Sequence, residues 1–242
     1  MRIDTYFTVP EVDTGALADA TVVVIDVVRA TTTIIEALAN GARGIYPTHS
    51  MEDAVRLAAS LGREDTLLCG ERKGRKVEGF DLGNSPREFT REAVNAKKLV
   101  MSTTNGSRAL IVGQEGRRSL PCAFTNLNAV ARAVAADDYL VIVCAGQDDS
   151  FSLDDALCAG HLIERVVADA DAEDAHEYND AARAARALAS ARKPTRRFLG
   201  LSAGGAALIE IGLGDDLEIC ADVDRHDIVV LMRDQAITRA GE

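Results

Sequence analysis

The sequence contains no apolar run long enough to cross a membrane, no internal repeat and no low-complexity linker. Its opening residues, Met1-Arg2-Ile3-Asp4, carry neither the basic flank nor the apolar segment of a secretory signal, so a cytoplasmic location is expected. The cysteines are Cys69, Cys122, Cys144, Cys158 and Cys220; no C-x-x-C occurs, and most sit at the ends of apolar runs, the pattern of buried free thiols. None of His49, His161, His176 and His226 pairs with a Cys or another His at metal-ligand spacing, which leaves a structural zinc site and a histidine-based triad without support. Positive charge is also in deficit. The net charge of -11 argues against nucleic acid or an anionic membrane as a partner, and only five of the 27 basic residues are lysines.

What is present is the composition of a globular protein. Hydrophobic residues make up 47% and charged residues 27% of the 242 positions, enough to bury a large core in one domain spanning residues 1–242 or in two closely packed lobes. Strand and helix patterns alternate. Arg2 to Val9 reads as a first strand, and Thr21 to Ile25 as a β-branched strand buried on both faces. Thr31 to Asn40 reads as a helix closed by Gly41, Gly44 to Thr48 as a strand, and Ser50-Met51-Glu52-Asp53 as a capping box opening a helix to Leu61. Thr66 to Cys69, Lys98 to Ser102, Ser119 to Phe124 and Tyr139 to Val143 are further strands, with a helix over Asn126 to Ala136. Ser152 is expected to cap a helix running to about Ala170, and Asp171 to Arg192 to form a charged, mostly exposed helix. A helix around Ala206 to Ile211 and strands at Leu217 to Ala221 and Ile228 to Met232 complete the pattern. The expectation is an α/β fold: three-layer α/β/α with a largely parallel or mixed sheet, whose ligands sit beyond the carboxyl ends of the strands.

Chemistry-bearing residues collect at those ends. Gly70 to Pro86 packs four glycines, four cations and three carboxylates into one loop after a strand. Within it Glu71 and Asp81 are candidate metal ligands, Arg72, Lys73, Arg75 and Lys76 candidate anion binders, and Asn84 and Ser85 hydrogen-bond donors to an oxyanion. A solvated basic loop is the plain alternative for any single cation. Asp26 ends the Val22-Val23-Val24-Ile25 run; there a carboxylate can ligate Mg²⁺ or attack phosphorus, or it can simply cap a helix. Arg29 follows within reach of a phosphate or sulfonate, and the threonines Thr31 to Thr33 begin a helix whose first amides favour an anion. A second aspartate two residues on, as in haloacid-dehalogenase phosphatases, is missing, because that position is Val28. Thr103, Thr104, Asn105 and Gly106 form a hydroxyl-rich Gly turn suited to phosphate, without the Gly-Lys-Ser/Thr of a Walker loop. Asp154 and Asp155 begin a helix; they either complement its dipole or complete an acidic cluster with Asp26, Glu71 or Asp81.

Several of these segments resemble one family. Val24-Ile25-Asp26-Val27-Val28-Arg29-Ala30-Thr31-Thr32-Thr33, Gly70-Glu71-Arg72 and Gly79 to Pro86, followed by Thr103 to Gly106, Cys144-Ala145-Gly146, Asp154-Asp155 with Ala159-Gly160, and Ser202 to Asp222, are similar in order to the 2-phosphosulfolactate phosphatases, the ComB-like family. The similarity covers nearly the whole chain; one departure is Asp154, where the family more often carries Glu. The resemblance implies a Mg²⁺-dependent phosphatase converting 2-phospho-3-sulfolactate to 3-sulfolactate and phosphate, a coenzyme M biosynthesis step. In that reading Asp26, Arg29, Glu71 and Asp81 are catalytic, Asp26, Glu71, Asp81 and Asp155 hold the metal, and Arg72, Asn84, Ser85, Thr103, Thr104, Asn105 and Gly106 bind substrate. The partner is a small polyanion, neither nucleic acid nor membrane, and a homo-oligomer is compatible with it. Another small phosphorylated acid as substrate, or a non-catalytic anion-binding role, is the alternative.

Overall fold

The structure, a computed structural model, describes residues 1–168 and 176–241. In chain order the elements are β1 (Arg2–Tyr6), β2 (Thr21–Ile25), α1 (Ala30–Ala39), β3 (Gly44–Pro47), α2 (Met51–Leu61), β4 (Thr66–Arg72) and β5 (Arg75–Lys76). Next come α3 (Arg91–Val94), β6 (Lys98–Ser102), α4 (Gly106–Gly113), β7 (Arg118–Cys122), α5 (Leu127–Val134), β8 (Tyr139–Cys144) and α6 (Leu153–Val166). The remainder is β9 (Glu177–Tyr178), α7 (Asp180–Ala191), α8 (Arg196–Leu199), α9 (Ala203–Glu210), α10 (Asp216–Cys220), β10 (Val230–Arg233) and β11 (Ala236–Arg239).

One mixed sheet carries these strands in the order β5-β4-β6-β3-β11-β10-β7-β2-β8-β1-β9, with helices on both faces. The alternation of β2 shows why. Val23 and Ile25 face a core shared with α5, α6 and α7, while Val22 and Val24 face one shared with α1 and α4. A strand buried on both sides needs apolar residues at every position, which is what the Thr21–Ile25 run supplies. A smaller cluster, Ala54, Ala58, Leu68 and Val100, seals α2 onto β4 and β6. Among the described residues, no helix is long and apolar enough to cross a membrane.

The β10–β11 hairpin is antiparallel to β7 on one side and to β3 on the other. Pairing parity therefore runs the parallel set β4, β6, β3 opposite to the parallel set β7, β2, β8, β1. Residues at or just past the carboxyl ends of both sets nevertheless line one cleft. The turns that follow β2, β4 and β6 meet there: a Gly106 Cβ would lie 2.6 Å from Asp26 Oδ2, and Glu71 Oε1 accepts the Thr104 amide.

Several elements differ from the sequence expectation. Leu217 to Ala221 is not a strand; Asp216–Cys220 is a helix, because Leu217 and Cys220 lie three apart and bury one helical face. The first strand stops at Tyr6, before Pro10 sets a short 3-10 turn over Val9–Glu11. Of the segment expected as an exposed helix, residues 171–175 lie outside the described residues, and α7 buries Ala182, Ala185 and Ala189 against α6 and β1. The helix expected to reach Ala170 ends at Val166, and Ser152 donates its hydroxyl to Asp154 instead of capping the backbone.

The α6–α7 contact depends on Gly160. A Cβ there would lie 2.0 Å from the Ala185 carbonyl oxygen and 2.9 Å from the Ala189 Cβ. Gly160→Ala must push the two helices apart, at a cost of about 1–3 kcal/mol, read as a lower midpoint in urea unfolding. An unchanged midpoint contradicts the close packing.

Candidate active site

The cleft has a volume of about 350 Å³ and is bordered by Asp26, Arg29, Glu71, Lys73, Asn84, Thr103, Thr104, Asn105 and Gln147, with Leu208 and Ile211 forming an apolar wall. Asp26 is the first residue past the buried β2. Its Oδ1 accepts the Ala30 amide at 2.9 Å, and the Thr31 hydroxyl both accepts the Asp26 N–H and donates to the Asp26 carbonyl. Thr32 and Thr33 donate to the Val27 and Asn84 carbonyls. The threonine run is therefore the local cement of the β2–α1 turn, whose Val28–Arg29 peptide is cis. Gly106 opens α4 directly against Asp26: a Cβ there would sit 2.6 Å from Asp26 Oδ2 and 2.4 Å from the Ala30 Cβ. Only glycine lets the first turn of α4 come this close to the carboxylate.

Glu71 enters from the end of β4. Its Oε1 accepts the Thr104 amide and its Oε2 the Gly74 amide, both at 2.7 Å, which ties the β4–β5 hairpin to the turn before α4. Arg29 is buried. It donates to Asp216 Oδ2 at 2.6 Å and to the Gly74 carbonyl at 2.7 Å, while Asp216 Oδ1 accepts the Ser85 hydroxyl at 2.6 Å. One ion pair thus joins the β2–α1 turn, the hairpin tip, the Asn84-Ser85 turn and α10. A guanidinium has five N–H donors, so Arg29 keeps donors for a ligand.

Asp154 and Asp155 reach the same region from the start of α6. Asp155 accepts the Val27 amide at 2.8 Å and the Gly146 amide at 3.2 Å, and Asp154 accepts the Ser152 hydroxyl at 2.6 Å. Burial pushes the Asp26 carboxyl up to about 7; the charges of Asp154 and Glu71 push the same way, and the Ala30 amide and Arg29 offset part of the rise. Burial raises Asp154, with its hydroxyl and amide partners opposing. Asp155 lies well above the ordinary carboxylate range, through burial and then the charges of Asp154 and Asp26. The cleft's lining cations are Arg29 and Lys73, and Arg29 is already neutralised by Asp216. Negative charge here is undercompensated.

Among the described residues no group of three or more His, Cys, Asp or Glu side chains is placed to hold a metal ion by itself. The expected four-carboxylate set is not assembled. Asp81 is turned away: its Oδ2 accepts the Leu68 amide at 2.7 Å and pairs with Arg63 at 2.8 Å, stitching the loop to the edge of β4. Both oxygens of Asp155 already receive amides. Two neutral oxygens do fit a hard cation. Asn84 Oδ1 and Thr104 Oγ1 are buried without a hydrogen-bond partner, and both residues line the cleft with Asp26. Mg²⁺ characteristically takes one or two carboxylates and completes its shell with water and phosphate oxygens. Asp26 with these neutral donors suits that habit better than an all-carboxylate cage.

The other sequence candidates divide cleanly. Thr103 and Ser107 exchange hydroxyl and amide bonds that cap α4, and Asn105 Oδ1 accepts the Asp148 amide. Arg72 does not line the cleft; its guanidinium donates to the Ser102 carbonyl and hydroxyl and to the Glu71 carbonyl. Ser85 serves Asp216. Asp216 itself was missed by the sequence reading, which placed it before a strand; Asp215-Asp216 ahead of an i,i+3 apolar pair is the available helix-start signal. A larger cavity of about 520 Å³ beside Thr48, His49, Asp53 and Arg56 has no buried carboxylate, whereas the buried Asp26 and Glu71 line the smaller cleft.

The family model described as 2-phosphosulpholactate phosphatase matches residues 6–235. The chain belongs to this family. Among its relatives, the probable 2-phosphosulfolactate phosphatase of Clostridium novyi (strain NT) is 36% identical over 230 residues, covering 95% of this chain and 96% of that one. The protein of the same name from Pseudothermotoga lettingae is 38% identical over 221 residues, 90% and 92% of the two chains. That of Caldanaerobacter subterraneus is 37% identical over 234 residues, 95% and 94%. Every residue that lines the cleft, from Asp26 to Ile211, falls within the 2-phosphosulpholactate phosphatase match, as do Asp154, Asp155 and Asp216 around it.

Two outcomes follow from the geometry. In EDTA, a carboxyl held at about 7 against an ordinary value near ~4 binds its proton more tightly in the folded state. It therefore favours folding at low pH and loses that contribution as pH rises through this window. Asp26→Asn removes the loss. Its Tm should match wild type near pH 4 and exceed it at pH 8, by about 2–4 °C for each kcal/mol relieved; a lower Tm at pH 8 contradicts the burial penalty. Asp216→Ala leaves Arg29 buried without its partner and should cost about 3–5 kcal/mol in urea unfolding. A loss below ~1 kcal/mol would place that pair in the class of solvated surface bridges.

Proposed function

We propose that the chain is a Mg²⁺-dependent phosphatase that hydrolyses 2-phospho-3-sulfolactate to 3-sulfolactate and phosphate, the coenzyme M biosynthesis type of reaction. The observation that carries the proposal is a buried, undercompensated carboxylate, Asp26, lying against the first turn of α4 in a cleft that belongs to this family.

In this reading the phosphate lies at the Thr104 to Gly106 turn, where the N-terminal end of α4 favours negative charge. Arg29 offers the phosphoryl oxygens the donors not used on Asp216 and Gly74. Asp26 would hold the ion, with Asn84 Oδ1 and Thr104 Oγ1 as neutral ligands and Glu71 behind them fixing the Thr104 amide. Mg²⁺ so bound supplies neutralisation of charge on the phosphoryl oxygens. Leu208 and Ile211 exclude bulk water from one wall and suit the short carbon skeleton of the substrate. The small cleft volume fits a three-carbon acid better than a nucleotide.

The test is phosphate release from 2-phospho-3-sulfolactate set against a panel of phosphate monoesters, each with Mg²⁺ and with EDTA. The expected result is a preference for the sulfonated substrate, Mg²⁺ dependence, and a fall in kcat of about 10³-fold or more in Asp26→Ala. Equal turnover of unrelated monoesters overturns the substrate. Full activity in EDTA overturns the metal.

A further inference from the structure

Among the described residues, the β4–β5 hairpin places at the cleft a cation with no side-chain hydrogen bond or ion pair, Lys73. Of the four basic residues in the loop, Arg72 is consumed by Ser102 and the Glu71 carbonyl, and Arg75 and Lys76 form the exposed β5, away from the cleft lining. Lys73 lines the cleft, and among the described residues its ammonium has no ion pair or hydrogen bond. The register Arg72↔Arg75 makes Lys73 and Gly74 a two-residue turn, with φ of 52° and 76°. A turn with both central residues left-handed favours Asn-Gly or Asp-Gly. A lysine at the first position has a backbone cost without the local hydrogen bond an Asn would gain, so turn geometry alone does not favour it.

The tip is also held rigidly. The Gly74 N–H goes to Glu71 and its carbonyl receives Arg29. A Cβ on Gly74 would lie 2.8 Å from Ile211 Cδ1, so the turn sits directly on the apolar wall. The two side chains that border the phosphate end of the cleft thus also aim the hairpin.

We propose that Lys73 is the specificity-determining residue that receives the sulfonate of the substrate, a proposal that rests on the phosphatase reading above. Three equivalent sulfonate oxygens suit a compact ammonium with three donors, whereas a planar carboxylate is the partner of a guanidinium fork. The phosphate has its own place at the α4 turn, so removing Lys73 should separate recognition of the two anionic groups.

The experiment compares 2-phospho-3-sulfolactate with 2-phospholactate, the same skeleton without sulfonate, in wild type, Lys73→Asn and Lys73→Arg. Asn fits the turn and keeps its backbone; Arg keeps the charge. The ratio of kcat/KM between the two substrates should fall about tenfold or more in Lys73→Asn, the loss of one charge-assisted contact, chiefly through KM for the sulfonated substrate. Lys73→Arg should restore most of it. A purely structural role lowers both substrates together and leaves the ratio unchanged, which overturns the proposal. Calorimetry in Mg²⁺ buffer with 3-sulfolactate and with inorganic phosphate gives an independent reading. Lys73→Asn should weaken sulfolactate by about tenfold while phosphate affinity stays within about twofold, and equal weakening of both, or of neither, overturns the assignment. Should wild type hydrolyse neither ester, the phosphatase reading fails, and the sulfolactate affinities still decide the role of Lys73.

Discussion

Acidic side chains buried at and behind one cleft are the constraint on which the rest of the structure depends. Asp26, Asp154 and Asp155 lie in the interior at strand and helix ends, and the lining guanidinium that could neutralise them is already paired with Asp216. Burial alone raises the carboxyls, and their mutual repulsion raises them further. A polyanionic ligand beside ionised carboxylates is favoured by a counter-cation, and a cation is held better where oxygen donors remain free. The two partnerless buried oxygens, Asn84 Oδ1 and Thr104 Oγ1, satisfy the second condition.

The fold exists to hold that charge in place. The turns after two oppositely running strand sets meet at one cleft, and backbone amides hold three of its carboxylates: Ala30 for Asp26, Thr104 and Gly74 for Glu71, Val27 and Gly146 for Asp155. These bonds orient the carboxylates, and they leave Asn84 Oδ1 and Thr104 Oγ1 as the partnerless oxygens beside Asp26. Gly106 permits the approach of α4, and the Arg29–Asp216 pair locks the hairpin, the Ser85 turn and α10 around it.

Much of this was legible in the sequence where local pattern and tertiary role coincide. The Thr21–Ile25 run can only be a strand buried on both faces, and Lys98–Ser102 appears as read. Asp26, Glu71, Thr103, Thr104 and Asn105, candidates because they follow strands in an α/β pattern, do line one cleft. Asp81 and Arg72 differ: a charged residue in a rich loop can stitch backbone as well as bind ligand, and in the folded protein Asp81 serves Leu68 and Arg63 while Arg72 serves Ser102. Asp216 was hidden because its partner, Arg29, is 187 residues away and no local pattern encodes that pairing. The hairpin inserted at the middle of the sheet was likewise unreadable, since single strands carry no information about their neighbours' order.

The central claim is most directly tested by the affinity of the protein for inorganic phosphate as Mg²⁺ is varied. Phosphate binding should be negligible in EDTA and should strengthen with Mg²⁺ until the cation site is filled. Phosphate bound as tightly in EDTA as in Mg²⁺ would contradict it, because the buried carboxylates would then need no cation to admit an anion.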